Sequence, residues 1–253
     1  MSIEFDDQRQ NAGRRPDLRL IITPQPKALR AREPVTRSRG KVRGEFPSTK
    51  MNRSIAWESQ NEQKACYHFE FSPVVKAFRE QPQTFYLPAP NGMCRYTPDF
   101  ELTFQSGEIC YVEVKPLSKL FTPKVLEPLQ AANQFLAEKG YCFIVLTEDE
   151  LNFPNRIRNF SILRPYLRFE IPLHISERAQ AWVTRCSNPT IAELSCFVGM
   201  QTTAFALLAQ LCIRFDFDQP LENCNGQQKP DTCLGSVSRK FPLEFDRGLI
   251  AQC

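Results

Sequence analysis

The stretch Arg95–Lys115 reads RYTPDFELTFQSGEICYVEVK, and it carries most of the information about the fold. Two runs with the residue pattern of strands, Arg95–Phe104 and Cys110–Lys115, are separated by the loop Gln105-Ser106-Gly107. A three-residue loop with glycine in the last position is a usual connection of this kind, because that position requires a positive φ. The stretch therefore predicts a β-hairpin.

A helix and a buried strand are predicted directly after the hairpin. Apolar residues recur at helical spacing over Pro123–Lys139, and Gly140 ends the pattern. The next residues, Tyr141–Leu146, form a continuous apolar run, which is typical of a strand buried on both faces. A strand hairpin, a crossover helix and a buried strand together predict an α/β fold in which helices flank a mixed sheet.

Weaker patterns lie upstream and downstream of this core. Upstream, we expect a helix from about Ser54 to about Phe69, and a strand over Thr84–Leu87 followed by a turn over Pro88–Gly92. Downstream of about residue 170, the pattern predicts a helix from Pro189 capped by Thr190 or Asn188, a turn at Gly199, a helix over Thr203–Cys212, a strand over Ile213–Phe217 and a loop over Asn223–Asp231. Two helices, a glycine turn and a strand predict a small helical, winged-helix-like domain at the C-terminus.

The hairpin also brings chemistry-bearing side chains together. If its loop has three residues, the register that pairs positions 104 and 108 places Asp99 directly across from Glu113. Glu113 and Lys115 share one face of the second strand, while Val112 and Val114 point into the core. Two carboxylates and an ammonium group would then lie side by side.

Adjacent carboxylates repel each other unless a cation lies between them, and Mg²⁺ is the natural candidate because it takes oxygen ligands and keeps positions open for water and phosphate. The alternative interpretation is a solvated strand face with an ion pair across the strands. The Pro98-Asp99 pair one strand earlier and the buried strand after the next helix favour the metal site.

A third acid comes from the early predicted helix. Glu62 precedes Ala65 and Cys66 by three and four residues, and so lies at the edge of the apolar stripe, where a carboxylate without a partner is costly. Glu58, one turn earlier, is the alternative and has the pattern of a solvated residue. We favour Glu62 as the third metal ligand.

With these residues in place, the sequence resembles a known family. Glu62, Pro98-Asp99 and Glu113-Val114-Lys115 match the PD-(D/E)xK nuclease pattern, which implies a restriction-endonuclease-like fold. The surrounding motifs are similar to those of TnsA, the endonuclease subunit of heteromeric bacterial transposases, and most of all to members from CRISPR-associated elements, over residues 38–170. The motifs that carry this likeness are Ser48-x-Lys50, Glu58-Ser59-x-x-Glu62, Phe69-Glu70-Phe71-Ser72-Pro73-x-Val75, Gln81-Pro82, Tyr96-Thr97-Pro98-Asp99-Phe100 and Tyr111-Val112-Glu113-Val114-Lys115-Pro116.

The resemblance implies a role for each matched residue. Glu62, Asp99, Glu113 and the backbone carbonyl of Val114 would hold Mg²⁺, with Mn²⁺ as a substitute, and Lys115 would be the catalytic lysine. Members of the family hydrolyse the 5′ (non-transferred) strands at the ends of the transposon. Their partners are double-stranded DNA, a TnsB-like DDE transposase that cuts and joins the 3′ strands, and a TnsC-like AAA+ ATPase that contacts the C-terminal domain.

Charge divides the chain into regions. Between positions 9 and 53 there are thirteen basic and three acidic residues, so this segment carries +10 although the whole chain carries only +4. Such a segment usually binds a polyanion; a solubilising tail is the alternative. We therefore predict a basic extended arm over residues 1–45, an endonuclease domain over 46–168 and a C-terminal partner-binding domain over 169–253.

Composition excludes several other classes of protein. The ten cysteines form no C-x-x-C pair and only two histidines are present, which argues against zinc scaffolds, His-dependent nucleases and Ser-His-Asp hydrolases. No apolar run approaches the length of a membrane span and no signal segment opens the chain, so we expect no membrane partner and a bacterial cytoplasmic location. Two alternative functions stay open: a stand-alone PD-(D/E)xK restriction or repair nuclease, and a non-catalytic DNA-binding adaptor.

Overall fold

The computed structural model describes residues 42–89, 92–187 and 189–221. Most of the predicted arm, the alternative cap Asn188 and the predicted loop Asn223–Asp231 lie outside these residues. The strands are β1 (Gly44–Ser48), β2 (Arg53–Trp57), β3 (Val75–Glu80), β4 (Phe85–Ala89), β5 (Gly92–Tyr96), β6 (Phe100–Phe104), β7 (Ile109–Val114) and β8 (Cys142–Leu146). The helices are α1 (Gln60–Phe71), α2 (Leu117–Leu120), α3 (Pro123–Glu138), α4 (Glu148–Leu151), α5 (Pro154–Leu163), a 3-10 helix (Arg164–Arg168), α6 (Leu173–Arg185), α7 (Ile191–Val198) and α8 (Gln201–Ala209).

A four-stranded mixed sheet forms the centre of the fold, in the order β3-β6-β7-β8. β6 is antiparallel to both of its neighbours, whereas β7 and β8 are parallel, as the crossover through α3 requires. Two separate hairpins, β1–β2 and β4–β5, complete the strand set. The predicted α/β fold with helices flanking a mixed sheet is confirmed.

The β6–β7 hairpin has the predicted loop and register. The Phe104 N–H donates to the Glu108 carbonyl at 2.9 Å, and Gly107 adopts a φ of +87°. Phe100 pairs with Val112, and the register continues without a slip to the loop. One residue beyond this first pair, the same register sets Asp99 opposite Glu113.

The prediction of one continuous strand over Arg95–Phe104 is wrong. Arg95 and Tyr96 end β5, which pairs with β4 in a separate ribbon, and the sheet strand β6 starts only at Phe100. Pro98 lies between the two strands and is buried. Proline has no N–H for a strand ladder, so the chain changes from one sheet to the other at this point.

The prediction of a helix starting near Ser54 is also wrong. Residues 53–57 form β2, in which the buried side chains of Ile55 and Trp57 alternate with more exposed ones. α1 begins after Ser59, whose hydroxyl accepts the Glu62 N–H at 3.2 Å as an N-cap. The helix pattern is real, but it starts six residues later than expected.

The two faces of the central sheet are covered differently. α1 and the β1–β2 hairpin cover one face, where Phe69, Val112 and Val114 belong to one apolar cluster. α3 and the β4–β5 ribbon cover the other, in a cluster that includes Tyr111 and Leu136. α3 ends as predicted at Gly140, with φ +78° and the Tyr141 N–H bonded back to the Leu136 carbonyl at 3.0 Å.

The helices from α5 onward share a third apolar cluster, built around Phe160. Phe71 at the end of α1 stacks on Phe160 with ring centroids 4.4 Å apart and joins this cluster. The predicted domain limit between residues 168 and 169 stays a prediction, and the apolar cluster extends across it. α7, Gly199 (φ +82°) and α8 reproduce the predicted helix-turn-helix pattern.

The predicted strand over Ile213–Phe217 is wrong. These residues form irregular chain without a strand ladder in the described part of the protein. Ile213, Phe215 and Phe217 are nevertheless buried in the C-terminal cluster, so the alternation in the sequence reflects an irregular segment lying across apolar helices. Within the described residues the C-terminal region is therefore helical and has no wing.

No single helix in the described ranges is long and apolar enough to cross a membrane, although α7 and α8, bent by 116° at Gly199, reach that length and composition together.

Candidate active site

The centre of the site is the carboxylate of Glu113, near the end of β7. Its side chain is on the same strand face as Tyr111, while Val112 and Val114 point into the opposite cluster, as predicted. Glu113 is 5% exposed. The hydroxyl of Tyr96 donates to its Oε2 at 2.7 Å, and the ammonium of Lys115 contacts its Oε1.

Asp99 lies beside this group. Its Oδ2 accepts the Val114 backbone N–H at 2.8 Å and is 3.7 Å from Nζ of Lys115. The backbone carbonyl of Asp99 accepts the Gln81 N–H at 2.8 Å, which attaches it to the end of β3. The structure thus brings together Asp99, Glu113 and Lys115, and the carbonyl of Val114 lies 3.5 Å from the same ammonium.

Glu62 reaches the site from the first turn of α1. Its carboxylate accepts the Ser59 hydroxyl at 2.9 Å and the Glu58 backbone N–H at 2.7 Å, so the helix N-terminus holds it in place. The pKa of Glu62 is raised to about 7, first by burial and then by the negative charge of Asp99. The side chain of Glu58 accepts an amide hydrogen of Gln81 at 3.4 Å, and its backbone positions Glu62.

Burial and the crowding of negative charge shift the pKa values of the site residues. Burial raises the pKa of Glu113 to about 7, with Asp99 as the second cause and the contact with Lys115 opposing both. Burial lowers the pKa of Lys115, but Asp99 and Glu113 together outweigh it and raise that pKa above its ordinary value. At neutral pH, Lys115 is therefore a fixed cation and not a proton acceptor.

The donor chemistry fits a hard divalent cation. Three carboxylates and one carbonyl are oxygen ligands of the type that Mg²⁺ prefers. A bound cation would offset both the burial and the repulsion from Asp99 that raise the pKa values of Glu62 and Glu113. In their present arrangement, no three acidic, histidine or cysteine side chains of the described residues form a group that could hold a metal ion. Lys115 serves instead as the counter-charge between Asp99 and Glu113.

Tyr96 is a site residue to which the sequence assigned no role. It pairs with Phe85 across the β4–β5 ribbon, and its ring contacts Phe143 edge-on at a centroid distance of 6.2 Å. Burial and the neighbouring charge of Glu113 raise the pKa of its hydroxyl, which therefore stays a proton donor. The sequence shows that Tyr96 lies three residues before Asp99, but the direction of its side chain depends on the β4–β5 ribbon.

Lys50 holds α1 in position from the opposite end. Its side chain is half-buried, and the ammonium donates to the carbonyls of Phe69, Ser72 and Val75 at 2.7, 2.8 and 2.7 Å, in and just after the last turn of the helix. Burial lowers the pKa of Lys50 to about 8, against the charge of Glu70. The Ser48-x-Lys50 motif thus positions the helix that carries the third carboxylate.

This geometry, a carboxylate pair and a lysine at the end of a central strand, can be compared with known families. Residues 72–148 match the TnsA-like endonuclease N-terminal domain. The resemblance to TnsA is thereby confirmed for this segment, which contains Asp99, Glu113 and Lys115 but not Glu62. No curated protein matches the chain. The TnsA-like segment relates this protein to nucleases.

One prediction follows for Tyr96. Tyr96→Phe removes the hydroxyl that donates to Glu113 and leaves the ring in the core. Because a hydrogen bond to a charged acceptor contributes about 1.5 kcal/mol or more, we expect the single-turnover cleavage rate to fall about tenfold with little change in DNA affinity.

Tyr111→Phe is the matched control, because Tyr111 is on the same sheet face and its hydroxyl contacts Gln83 instead of the site. If Tyr96→Phe, the control and the wild type all cleave at the same rate, the Tyr96 hydroxyl has no role in the reaction.

Proposed function

We propose that this protein is the Mg²⁺-dependent endonuclease subunit of a transposase complex, and that it hydrolyses the 5′ strands at transposon ends during cut-and-paste transposition. One observation carries the proposal: Asp99, Glu113 and Lys115 converge at one strand end, within a segment that matches the TnsA-like endonuclease domain. The unbroken set of residues favours an active enzyme over a DNA-binding adaptor.

Each residue of the site has a separate task in this proposal. Glu62, Asp99, Glu113 and the Val114 carbonyl would hold the metal. Mg²⁺, or Mn²⁺ in its place, would supply Lewis-acid stabilisation of the scissile phosphate and a more acidic water. Lys115 stays protonated, so it stabilises negative charge on the phosphate and orients its neighbour Glu113.

The complex has further proposed members. We propose double-stranded DNA as the substrate, a TnsB-like DDE transposase for the 3′ strands and a TnsC-like AAA+ ATPase for target choice. The exposed side chains of Leu173 and Met200 support residues 169–253 as the partner-binding region, because they offer apolar surface on the C-terminal helices. Free thiols at Cys66, Cys94 and Cys186 support a reducing cytoplasm.

The test is a strand-specific cleavage assay on a duplex that contains one end of the encoding element, with and without the co-encoded transposase. We expect Mg²⁺-dependent cutting of the 5′ strand only when the transposase is present. Equal cutting by the protein alone would favour a stand-alone restriction or repair nuclease. No cutting of either strand in the full complex would contradict the proposal.

The raised pKa values of Glu62 and Glu113 predict pH-dependent metal binding. Both carboxyls titrate near pH 7 instead of near 4.5, and a cation must displace their protons. We expect Mn²⁺ affinity, measured by electron paramagnetic resonance, to rise between pH 6 and pH 8 by about tenfold for each carboxyl that loses its proton. Equal affinity at pH 6 and pH 8 would contradict this.

The same shift has a definite sign for stability. The metal-free folded state holds these protons more tightly than the unfolded chain, so the stabilising contribution is complete below about pH 4.5 and is lost as pH rises through 7. Glu113→Gln has no such titration. Its free energy of unfolding should therefore fall less steeply than that of the wild type between pH 4.5 and 7.

A further inference from the structure

The segment 151–169 contains four arginines and no acidic residue. Arg156 is buried, and its Nε donates to Asp218 at 2.8 Å, so its charge is neutralised. Arg158 is exposed. The remaining two, Arg164 and Arg168, extend from the 3-10 helix toward the β1–β2 hairpin.

The contacts of these two arginines are with neutral groups. Arg164 donates to the Pro47 carbonyl at 3.3 Å, and its guanidinium lies 5.7 Å from the ring centre of Phe46. Arg168 donates to the side-chain oxygen of Asn52 at 3.0 Å. Among the described residues, neither forms an ion pair with an acidic side chain.

Other arginines of the fold behave differently. Arg53 forms two hydrogen bonds with Glu80, at 2.9 and 2.7 Å, and Arg79 forms two with Glu101, at 2.9 and 2.8 Å. The structure thus pairs these arginines with carboxylates, while it holds Arg164 and Arg168 in place through neutral groups and leaves their charge available. A guanidinium of this kind is suited to a phosphate.

The β1–β2 hairpin fixes where these arginines lie relative to the site. Asn52, which contacts Arg168, is at one end of β2, and Glu58, whose N–H holds Glu62, follows its other end. Asn52 and Glu58 are six residue steps apart along the chain, which is at most about 20 Å at 3.3 Å per residue. Phosphates of one DNA strand repeat about every 3.4 Å of the helix axis, so the separation for Arg168 is about six base pairs. Arg164 contacts Pro47, which pairs with Ser54 in β2, so its separation is about four.

The basic segment at the N-terminus reaches the same hairpin. Of the thirteen basic residues counted between positions 9 and 53, the last lies in β2 of this hairpin. The described part of the chain begins at Val42, two residues before β1. β1 includes Phe46 and Pro47, the two residues that Arg164 contacts. The hairpin that Arg164 and Arg168 contact thus directly follows the basic N-terminal segment in the sequence, which favours a polyanion as the occupant.

We propose that Arg164 and Arg168, here called the arginine edge, bind the phosphates of duplex DNA that flanks the cleaved bond, about four to six base pairs from it. The DNA would then run along the β1–β2 hairpin, with one end over the carboxylates and the flank on the arginine edge. The inference rests on the proposed nuclease function for the position of the cleaved bond.

The first experiment measures the affinity of the full chain for a fluorescein-labelled 40-base-pair duplex in EDTA, between 50 and 200 mM NaCl. Each lost phosphate contact reduces the slope of log affinity against log salt by about 0.9, so R164A/R168A should reduce it by about 1.8. R185A is the matched control, because Arg185 is exposed at the end of α6 and should leave the slope unchanged.

A charge-conserving variant separates charge from packing. R164K/R168K loses the arginine contacts with the hairpin but keeps both positive charges, so we expect a slope close to that of the wild type. R168A alone, at an exposed position, should reduce the slope by about 0.9 even if R164A disturbs the hairpin. An unchanged slope in R168A, or a lysine variant that behaves like the alanine variant, would overturn the proposal.

The second experiment locates the contact. In the presence of the transposase, we expect cleavage by the wild type to become more efficient as the duplex flank beyond the cut grows from 3 to 9 base pairs, and this dependence should disappear in R164A/R168A. A length dependence that persists in the variant would place the contact elsewhere. No cleavage at any length would contradict the nuclease proposal instead, and the salt experiment would still decide the arginine edge.

Discussion

Asp99→Asn should abolish cleavage of the 5′ strands and leave the protein folded. The asparagine keeps an oxygen that can accept the Val114 N–H, whereas Asp99→Ala would leave that buried donor without its acceptor. The substitution removes one of the charges that would hold the metal. Since metal activation contributes several kcal/mol to the transition state, we expect a loss of at least about 10³-fold in rate.

The cellular consequence of Asp99→Asn distinguishes the transposase-subunit proposal from its alternatives. Under the proposed function, this site only hydrolyses DNA, and a partner transposase cuts and joins the 3′ strands. An inactive but folded subunit should leave 3′ joining intact, and the element then stays attached to the donor through its uncut strands. Replication resolves this intermediate into a cointegrate. Products should therefore shift from simple insertions to cointegrates at comparable total frequency.

Long-read sequencing of insertion products measures this shift. Asp149→Asn, at an exposed position in α4, is the matched control and should give wild-type products. If simple insertions persist at the wild-type proportion in Asp99→Asn, Asp99 is not required for excision and the proposal fails. A stand-alone nuclease would show no shift toward cointegrates.

Lys115→Ala should reduce the cleavage rate by about 10²-fold or more while metal binding is kept. Lys115 is the counter-charge between Asp99 and Glu113, so its removal leaves the carboxylates without their cation. A metal ion would take over that role, and its affinity should therefore stay the same or increase. The measurements are single-turnover cleavage and Mn²⁺ titration of the same preparation.

Lys119→Ala is the control for Lys115→Ala. Lys119 is exposed in the short helix that follows β7, so the same charge is lost nearby without contact to the carboxylates. A loss of metal affinity in Lys115→Ala as large as that in Asp99→Asn would show that Lys115 shapes the metal site and is not its competing cation.

Local sequence determined the elements whose geometry depends on neighbouring residues. The loop ending in Gly107 sets the hairpin register, because a single residue there takes the positive φ, and that register alone sets Asp99 opposite Glu113. Gly140 ends α3 for a similar reason. Alternation along β7 separates Glu113 from the apolar residues on the other face. These features act over a few residues, so the sequence was enough to predict them.

Two element boundaries are marked by local signals that conflict with the wider residue pattern. Ser59 and Glu62 are spaced as an N-cap and its third helical residue, which marks the start of α1, whereas the apolar residues at 55 and 57 belong to β2. Pro98 marks a strand end, although the pattern from Arg95 to Phe104 predicts one continuous strand. In both cases an apolar pattern shared by two elements outweighed a local boundary signal.

Contacts between residues that are distant in the sequence depend on the tertiary structure alone. The hydroxyl of Tyr96 reaches Glu113 because the β4–β5 ribbon packs over the sheet, and Arg168 reaches Asn52 across 116 residues of sequence. The alternation over Ile213–Phe217 predicted a strand, but no strand in the described part of the chain pairs with it, and burial against helices produced the same pattern. Sequence periodicity records which side chains are buried, whereas the group that each one contacts depends on how the whole chain packs.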